Sequence, residues 1–131
     1  MPRIAKLALL VRDYDEAIAW FSRCLGFELV EDTEMGNEKR WVVMRPAKPN
    51  SGSDLLLARA VGMQQASAIG NQTGGRVFLF LETDNFERDF SRLQREGVRI
   101  EREPKDERYG RVAVFQDLSG NLWDLIEPRG Q

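Results

Sequence analysis

Apolar and polar positions along this chain change their period twice, in the same order each time. IAKLALLV (residues 4–11) is an aliphatic run broken by one lysine, the pattern of a buried strand. The spacing then turns helical, with Tyr14, Ala17, Ile18, Phe21 and Leu25 forming an apolar stripe. Asp13 precedes that stripe and Glu16 follows three residues later, the spacing of an acidic capping box. Gly26 stands where a helix closes through positive φ. FELVEDT (27–33) and RWVVMR (40–45) read as strands around MGNE, a hairpin turn. PAKPNSGS (46–53) has the composition of a loop, and DLLLARA (54–60) is a further strand.

The second half repeats the order. RVFLFLET (76–83) is a strand, Asp84 and Glu87 form a second capping pair, and Gly97 closes a second helix. These three positions lie 71 residues after Asp13, Glu16 and Gly26. VRIERE (98–103), GRVAVFQ (110–116) and LWDLIEP (122–128) follow as strands. The fold class predicted is α+β, from tandem βαβββ modules at 4–60 and 76–128 within one domain over residues 1–131. The joint at 61–75 has room for a helical turn. A sheet covered by its helix on one face leaves the other face bare. Two such modules are expected to pair into a curved mixed sheet around one cavity.

Composition narrows the function classes. The chain has 131 residues, enough for a real core, with 42% hydrophobic and 31% charged residues. A formal net charge of -2 argues against a nucleic-acid backbone or an anionic membrane as partner. No apolar run approaches the roughly 20 residues of a membrane helix, and the start is too short in apolar residues for a signal peptide. The single cysteine, Cys24, excludes an internal disulfide, so the expected location is cytoplasmic. The chain contains no histidine.

The tandem modules, VRDYDEAIAWFSRCLGFELVED (11–32) and VAVFQDLSGNLWDLIEP (112–128) together resemble the glyoxalase, bleomycin-resistance and extradiol-dioxygenase superfamily, also called vicinal oxygen chelate proteins. The resemblance runs from about Ile4 to Pro128 and implies a glyoxalase-like fold. It leaves function open, because the superfamily holds isomerases, dioxygenases, thiol transferases and non-catalytic drug-binding proteins. Family members often pair two chains, so the resemblance also implies a homodimer.

In the family's metallo-enzymes one ligand stands on the first strand and one on the last strand of each module. Those positions match Lys6, Leu56 (to within one residue), Arg76 and Asp124. Lysine and arginine are cations at neutral pH, and transition metals want imidazole, carboxylate or thiolate donors. The metal site therefore reads as lost, and no cofactor is expected. Asp124 would then face Lys6 and Arg76 as their counter-charge, leaving one positive charge for an anionic or acceptor-rich ligand. The other reading of the same three residues is a buried salt-bridge triad that fills the obsolete hole.

Trp41, Phe78 and Phe80 are expected to line the cavity, the two phenylalanines because alternation puts them on the strand face of Arg76. The stretch Glu103, Asp106, Glu107, Arg108 and Tyr109 reads as a loop over the cavity mouth, with Tyr109 as a lid residue. GNQTGG (70–75) lacks the Lys-Ser or Lys-Thr of a phosphate loop and reads as a flexible joint. Cys24 has no histidine to activate it and reads as packing.

Three functions follow, in this order: a metal-independent small-molecule binding protein, a metal-free enzyme using Lys6 and Asp124 for acid–base chemistry, and a metal-dependent lyase or dioxygenase as the family name suggests.

Overall fold

The computed structural model describes residues 1–46 and 52–130. Of the loop expected at 46–53, positions 47–51 lie outside the described residues. The chain forms two compact units that divide between Ile69 and Gly70. The first holds β1 (Lys6–Val11), α1 (Tyr14–Leu25), β2 (Glu28–Gly36), β3 (Lys39–Arg45), β4 (Asp54–Arg59) and α2 (Gly62–Ala68). The second holds β5 (Val77–Glu82), α3 (Phe86–Arg95), β6 (Ile100–Glu107), β7 (Gly110–Gln116) and β8 (Leu122–Pro128).

Each unit carries one four-stranded mixed sheet of the same topology. The orders are β1-β4-β3-β2 and β5-β8-β7-β6, with the first pair parallel and the other two antiparallel. The α+β reading and its βαβββ modules are thus both observed. In the first unit Leu9, Val11, Val42, Met44, Leu55 and Leu57 are buried and alternate along their strands. Ala17, Phe21 and Cys24 are the buried stripe of α1. In the second unit Phe86, Phe90 and Leu93 of α3 are buried, as are Ala113, Phe115, Trp123 and Leu125 on the sheet.

The first helix begins as its sequence dictates. The Asp13 carboxylate accepts the Glu16 amide at 2.8 Å, and Gly26 closes α1 at φ +69°. The second cap lies one residue later than expected: Asn85, not Asp84, caps α3, its side chain accepting the Arg88 amide at 3.1 Å. Asp84 instead pairs with the Arg88 side chain at 3.5 Å. A second oxygen reaches this helix start from β8, where Glu127 accepts the Phe86 amide at 2.7 Å.

The loop read at 103–109 is instead a strand and a tight turn. β6 runs through to Glu107, so Glu103, Asp106 and Glu107 are strand residues, and residues 108 and 109 make the turn into β7. Register shifts between Ile100 and Arg102 and between Arg102 and Lys105 let Pro104 sit in this edge strand.

The joint is more ordered than its composition predicts. α2 fills residues 62–68, and Gly70 takes φ +76° with the Ser119 carbonyl against it, where an added Cβ would lie 2.0 Å from that oxygen. The Gln72 amide donates to the Asn121 side chain at 3.2 Å. The turn that receives these residues is organised by Asp117, which is 5% exposed. Its carboxylate accepts the amides of Ser119, Gly120 and Asn121, the Asn121 side-chain amide and the Trp123 indole N–H, all at 2.9–3.1 Å.

Candidate ligand-binding site

The first unit contains a cavity of about 470 Å³ at the end of its sheet where β3 begins and β4 ends. The hairpin between β2 and β3 forms one wall. Gly36 pairs with Lys39, and the two residues between them, Asn37 and Glu38, take φ +54° and +62°. Two consecutive left-handed residues make the turn that matches strand twist. A register shift between Glu34 and Gly36 leaves Met35 as an extra residue, and Met35 joins the cavity wall. Trp41, Leu56 and Ala58 come from one face of the sheet, since Val43 pairs with Leu56 and faces alternate along each strand. Arg40 and Arg59 come from the other face, beside Tyr14 at the start of α1. The beginning of α2 closes the site with Val61 and Gln65.

The wall is rich in donors. Lys39, Arg40 and Arg59 all contribute to it, and no aspartate or glutamate is among its described residues. The two arginines differ in their partners. Arg40 gives Nε to Asp32 Oδ1 at 3.1 Å, and Nη2 to Asp32 Oδ2 at 2.7 Å and to Asp15 Oδ1 at 3.0 Å. It also lies 5.1 Å from the centre of the Tyr14 ring. Hydrogen bonding to Asp32 and then to Asp15 holds it firmly protonated, and the same bond holds Asp32 below the ordinary carboxylate range. The Arg59 side chain makes one hydrogen bond among the described residues, from Nη2 to the Glu38 carbonyl at 3.5 Å, the limit for such a bond. The Gln65 amide oxygen accepts the Val61 amide at 2.8 Å, so what Gln65 offers a ligand is its N–H₂.

Of the three charged residues expected from sequence, Lys6 belongs to the first unit and Arg76 and Asp124 to the second. Lys6 is exposed at the start of β1, and its partner across the ladder is Asp54. Asp54 is buried and takes two parallel hydrogen bonds from Arg45, both at 2.9 Å. Those bonds lower its pKa, with smaller contributions from the charges of Arg45, Lys6 and Arg3. Asp124 is half-buried on β8, and its carboxyl is pushed up by desolvation and drawn down by Arg102.

Arg102, not Arg76, is thus the cation acting on Asp124. The residue of β5 that pairs with Asp124 is Phe80, and Val114 pairs with Asp124 on the other side and with Arg102 beyond it. Arg76 precedes Phe80 by four residues, roughly 13 Å along an extended strand. It is exposed just before β5, with its carbonyl accepting the Thr73 hydroxyl at 2.6 Å.

Phe78 is half-buried and Phe80 is 67% exposed, but a register shift between Val77 and Leu79 interrupts the alternation that was to align them with Arg76. Tyr109 is 59% exposed on the β6–β7 turn. Among the residues expected to contact ligand, Trp41 lines the described cavity. Sequence reasoning missed Arg40, Arg59 and Arg45. The signal available was a charge set into each apolar strand, in KRWVVMR and DLLLAR.

The chain belongs to the glyoxalase/bleomycin resistance protein/dioxygenase superfamily, whose model matches residues 3–125. An uncharacterized protein of Shewanella frigidimarina (strain NCIMB 400) is 54% identical over 95% of this chain and 92% of its own length. The crystal structure of UcmS2 superposes with a TM-score of 0.82 at 28% identity, covering 97% of this chain and 98% of that one. TnmS3, described as an antibiotic binding protein from Streptomyces sp. CB03234, superposes with a TM-score of 0.75 at 26% identity, covering 98% of both chains. No helix among the described residues is long and apolar enough to cross a membrane.

The donor set does not fit the divalent metal of the family's enzymes. The four matched positions are Lys6, Leu56, Arg76 and Asp124, which offer one carboxylate between them. Among the described residues no three carboxylate, thiol or imidazole groups gather closely enough to hold an ion.

Proposed function

We propose that this protein is a metal-independent small-molecule binding protein of the glyoxalase/bleomycin-resistance type, and that its ligand is anionic or rich in hydrogen-bond acceptors. The observation that carries this reading is the composition of the cavity wall in the first unit. It presents Lys39, Arg40 and Arg59 with apolar walls and no carboxylate among its described residues, in a volume within the range of small-molecule sites. A cation in such a wall favours a carboxylate, phosphate or enolate over a neutral ligand of the same shape. The description of TnmS3 as an antibiotic binding protein supports the binding class.

The test combines native mass spectrometry of freshly purified protein with elemental analysis. An acceptor-rich small molecule carried through purification, or a melting temperature raised by such molecules and by no divalent metal, is the expected result. A metal-to-chain ratio near one would overturn the reading.

A further inference from the structure

We infer that the second unit holds a binding site for an organic ammonium ion, with the Asp124 carboxylate accepting its N–H groups and the Phe80 ring lying against its charge. Trp123 and Leu125 are buried on the side of α3, so alternation along β8 puts Asp124 on the sheet face turned away from that helix. Its partners across the ladder share this face. They are Phe80 of β5 on one side and Val114 of β7 on the other, with Arg102 of β6 beyond Val114. Leu122 and Ile126 flank it along β8.

Packing explains neither member of the Phe80–Asp124 pair. Asp124 is half-buried, and among the described residues no hydrogen bond or ion pair engages its carboxyl. Arg102 stands two strands away, roughly 10 Å across the sheet, and acts on it through charge alone. Phe80 is 67% exposed, although it is among the largest apolar side chains of the unit. A partly desolvated carboxylate without a counter-ion destabilises the fold, and a cation brought to it relieves that cost. A metal ion would require further donors, which Phe80, Val114, Leu122 and Ile126 do not supply. An organic ammonium requires an acceptor for its N–H groups, an aromatic face for its charge and apolar surface for its carbon arm. The row presents all three, and Glu82, two residues beyond Phe80, adds a second carboxylate on the same face. The site lies within the second unit, so it stands independently of the reading of the first-unit cavity.

The experiment is an NMR titration of the full isotope-labelled chain with n-hexylammonium and with 1-hexanol, its neutral counterpart. Hexylammonium is expected to shift the amides around Phe80 and Asp124 and to bind at least about tenfold more tightly than the alcohol. Sodium ion at equal concentration should not displace it. Asp124→Asn should remove the preference for the cation over the alcohol. Phe80→Leu should weaken hexylammonium about threefold while leaving 1-hexanol within about twofold. Equal affinity for the two probes, shifts confined to other strands, or no binding of hexylammonium would each overturn the inference. Displacement by sodium would overturn the organic part of it, since the site would then take any small cation. An Asp124→Asn protein that keeps the preference, or a Phe80→Leu protein that binds both probes as before, overturns the role given to that residue. The two-probe comparison on the unmodified protein decides the ligand class even if a variant fails to fold.

Discussion

Arg40 and Asp32 are joined across the β2–β3 hairpin by two hydrogen bonds, at 3.1 and 2.7 Å, and this pairing fixes the edge of the candidate site. It holds β2 to β3 beside the hairpin tip, and a third bond carries the same guanidinium to Asp15 on α1. The Arg40 amide also donates to the Tyr14 hydroxyl at 3.2 Å. Helix, sheet and cavity wall therefore meet at one residue.

Arg40→Gln is expected to lower stability, because Asp15 and Asp32 would lose their shared cation. The effect should depend on pH. The folded-state pKa of Asp32 is lowered from its ordinary value of 3.8, chiefly by the Arg40 hydrogen bond. Its contribution is then complete above that value and is lost as pH falls through the folded one. Urea denaturation of both proteins at neutral pH and at several acid pH values should show two stability curves that converge on the acid side. Curves that stay parallel would remove the ion pair as the cause.

Asp124→Asn is expected to act in the opposite sense. Desolvation raises the Asp124 pKa above 3.8, and Arg102 offsets only part of this. A carboxyl with a raised folded-state pKa contributes stability below its unfolded pKa and loses it as pH rises through the folded one. The asparagine variant should therefore be the more stable protein at neutral pH, with the gain vanishing as pH falls below the ordinary carboxylate value. Thermal melts across that range measure it.

Asp117→Ala should be among the most damaging single changes. It removes the acceptor for five N–H donors in a buried turn, including the indole of Trp123. Orphaned buried donors cost about 1–3 kcal/mol each where water cannot replace the acceptor, so a total loss on the order of 3 kcal/mol or more is expected in chemical denaturation. Asp117→Asn retains one acceptor oxygen and should fall between the two.

Glu38→Gly should stabilise the fold. Glu38 occupies the second left-handed position of the hairpin at φ +62°, where a side chain costs about 1 kcal/mol or more and Asn-Gly is the preferred pair. The Glu38 carbonyl that meets Arg59 belongs to the backbone and survives the change. A rise in the urea midpoint of unchanged slope is the expected result.

The sequence by itself determined the two βαβββ modules and their strand order along the chain, because those signals are local. Period two or 3.6 sorts strand from helix, and Asp13 with Glu16 needs only three residues to form its cap. The residue types at the positions matched by resemblance, with Asp124 as their one carboxylate, are likewise read directly from the chain. Only the tertiary structure decided which charge meets which. Alternation tells which face a residue takes but not its register, and one extra residue at a bulge re-aims everything after it. The residue of β5 that pairs with Asp124 is Phe80, and Arg102, across β7 from Asp124, is the cation that lowers its pKa. Arg40 and Arg59 lie 19 positions apart in the chain and are ordinary surface charges on paper. The antiparallel run of β3 against β4 brings them to one wall, and the carboxylates of Asp32 and Asp15 then engage Arg40 and leave Arg59 facing the cavity.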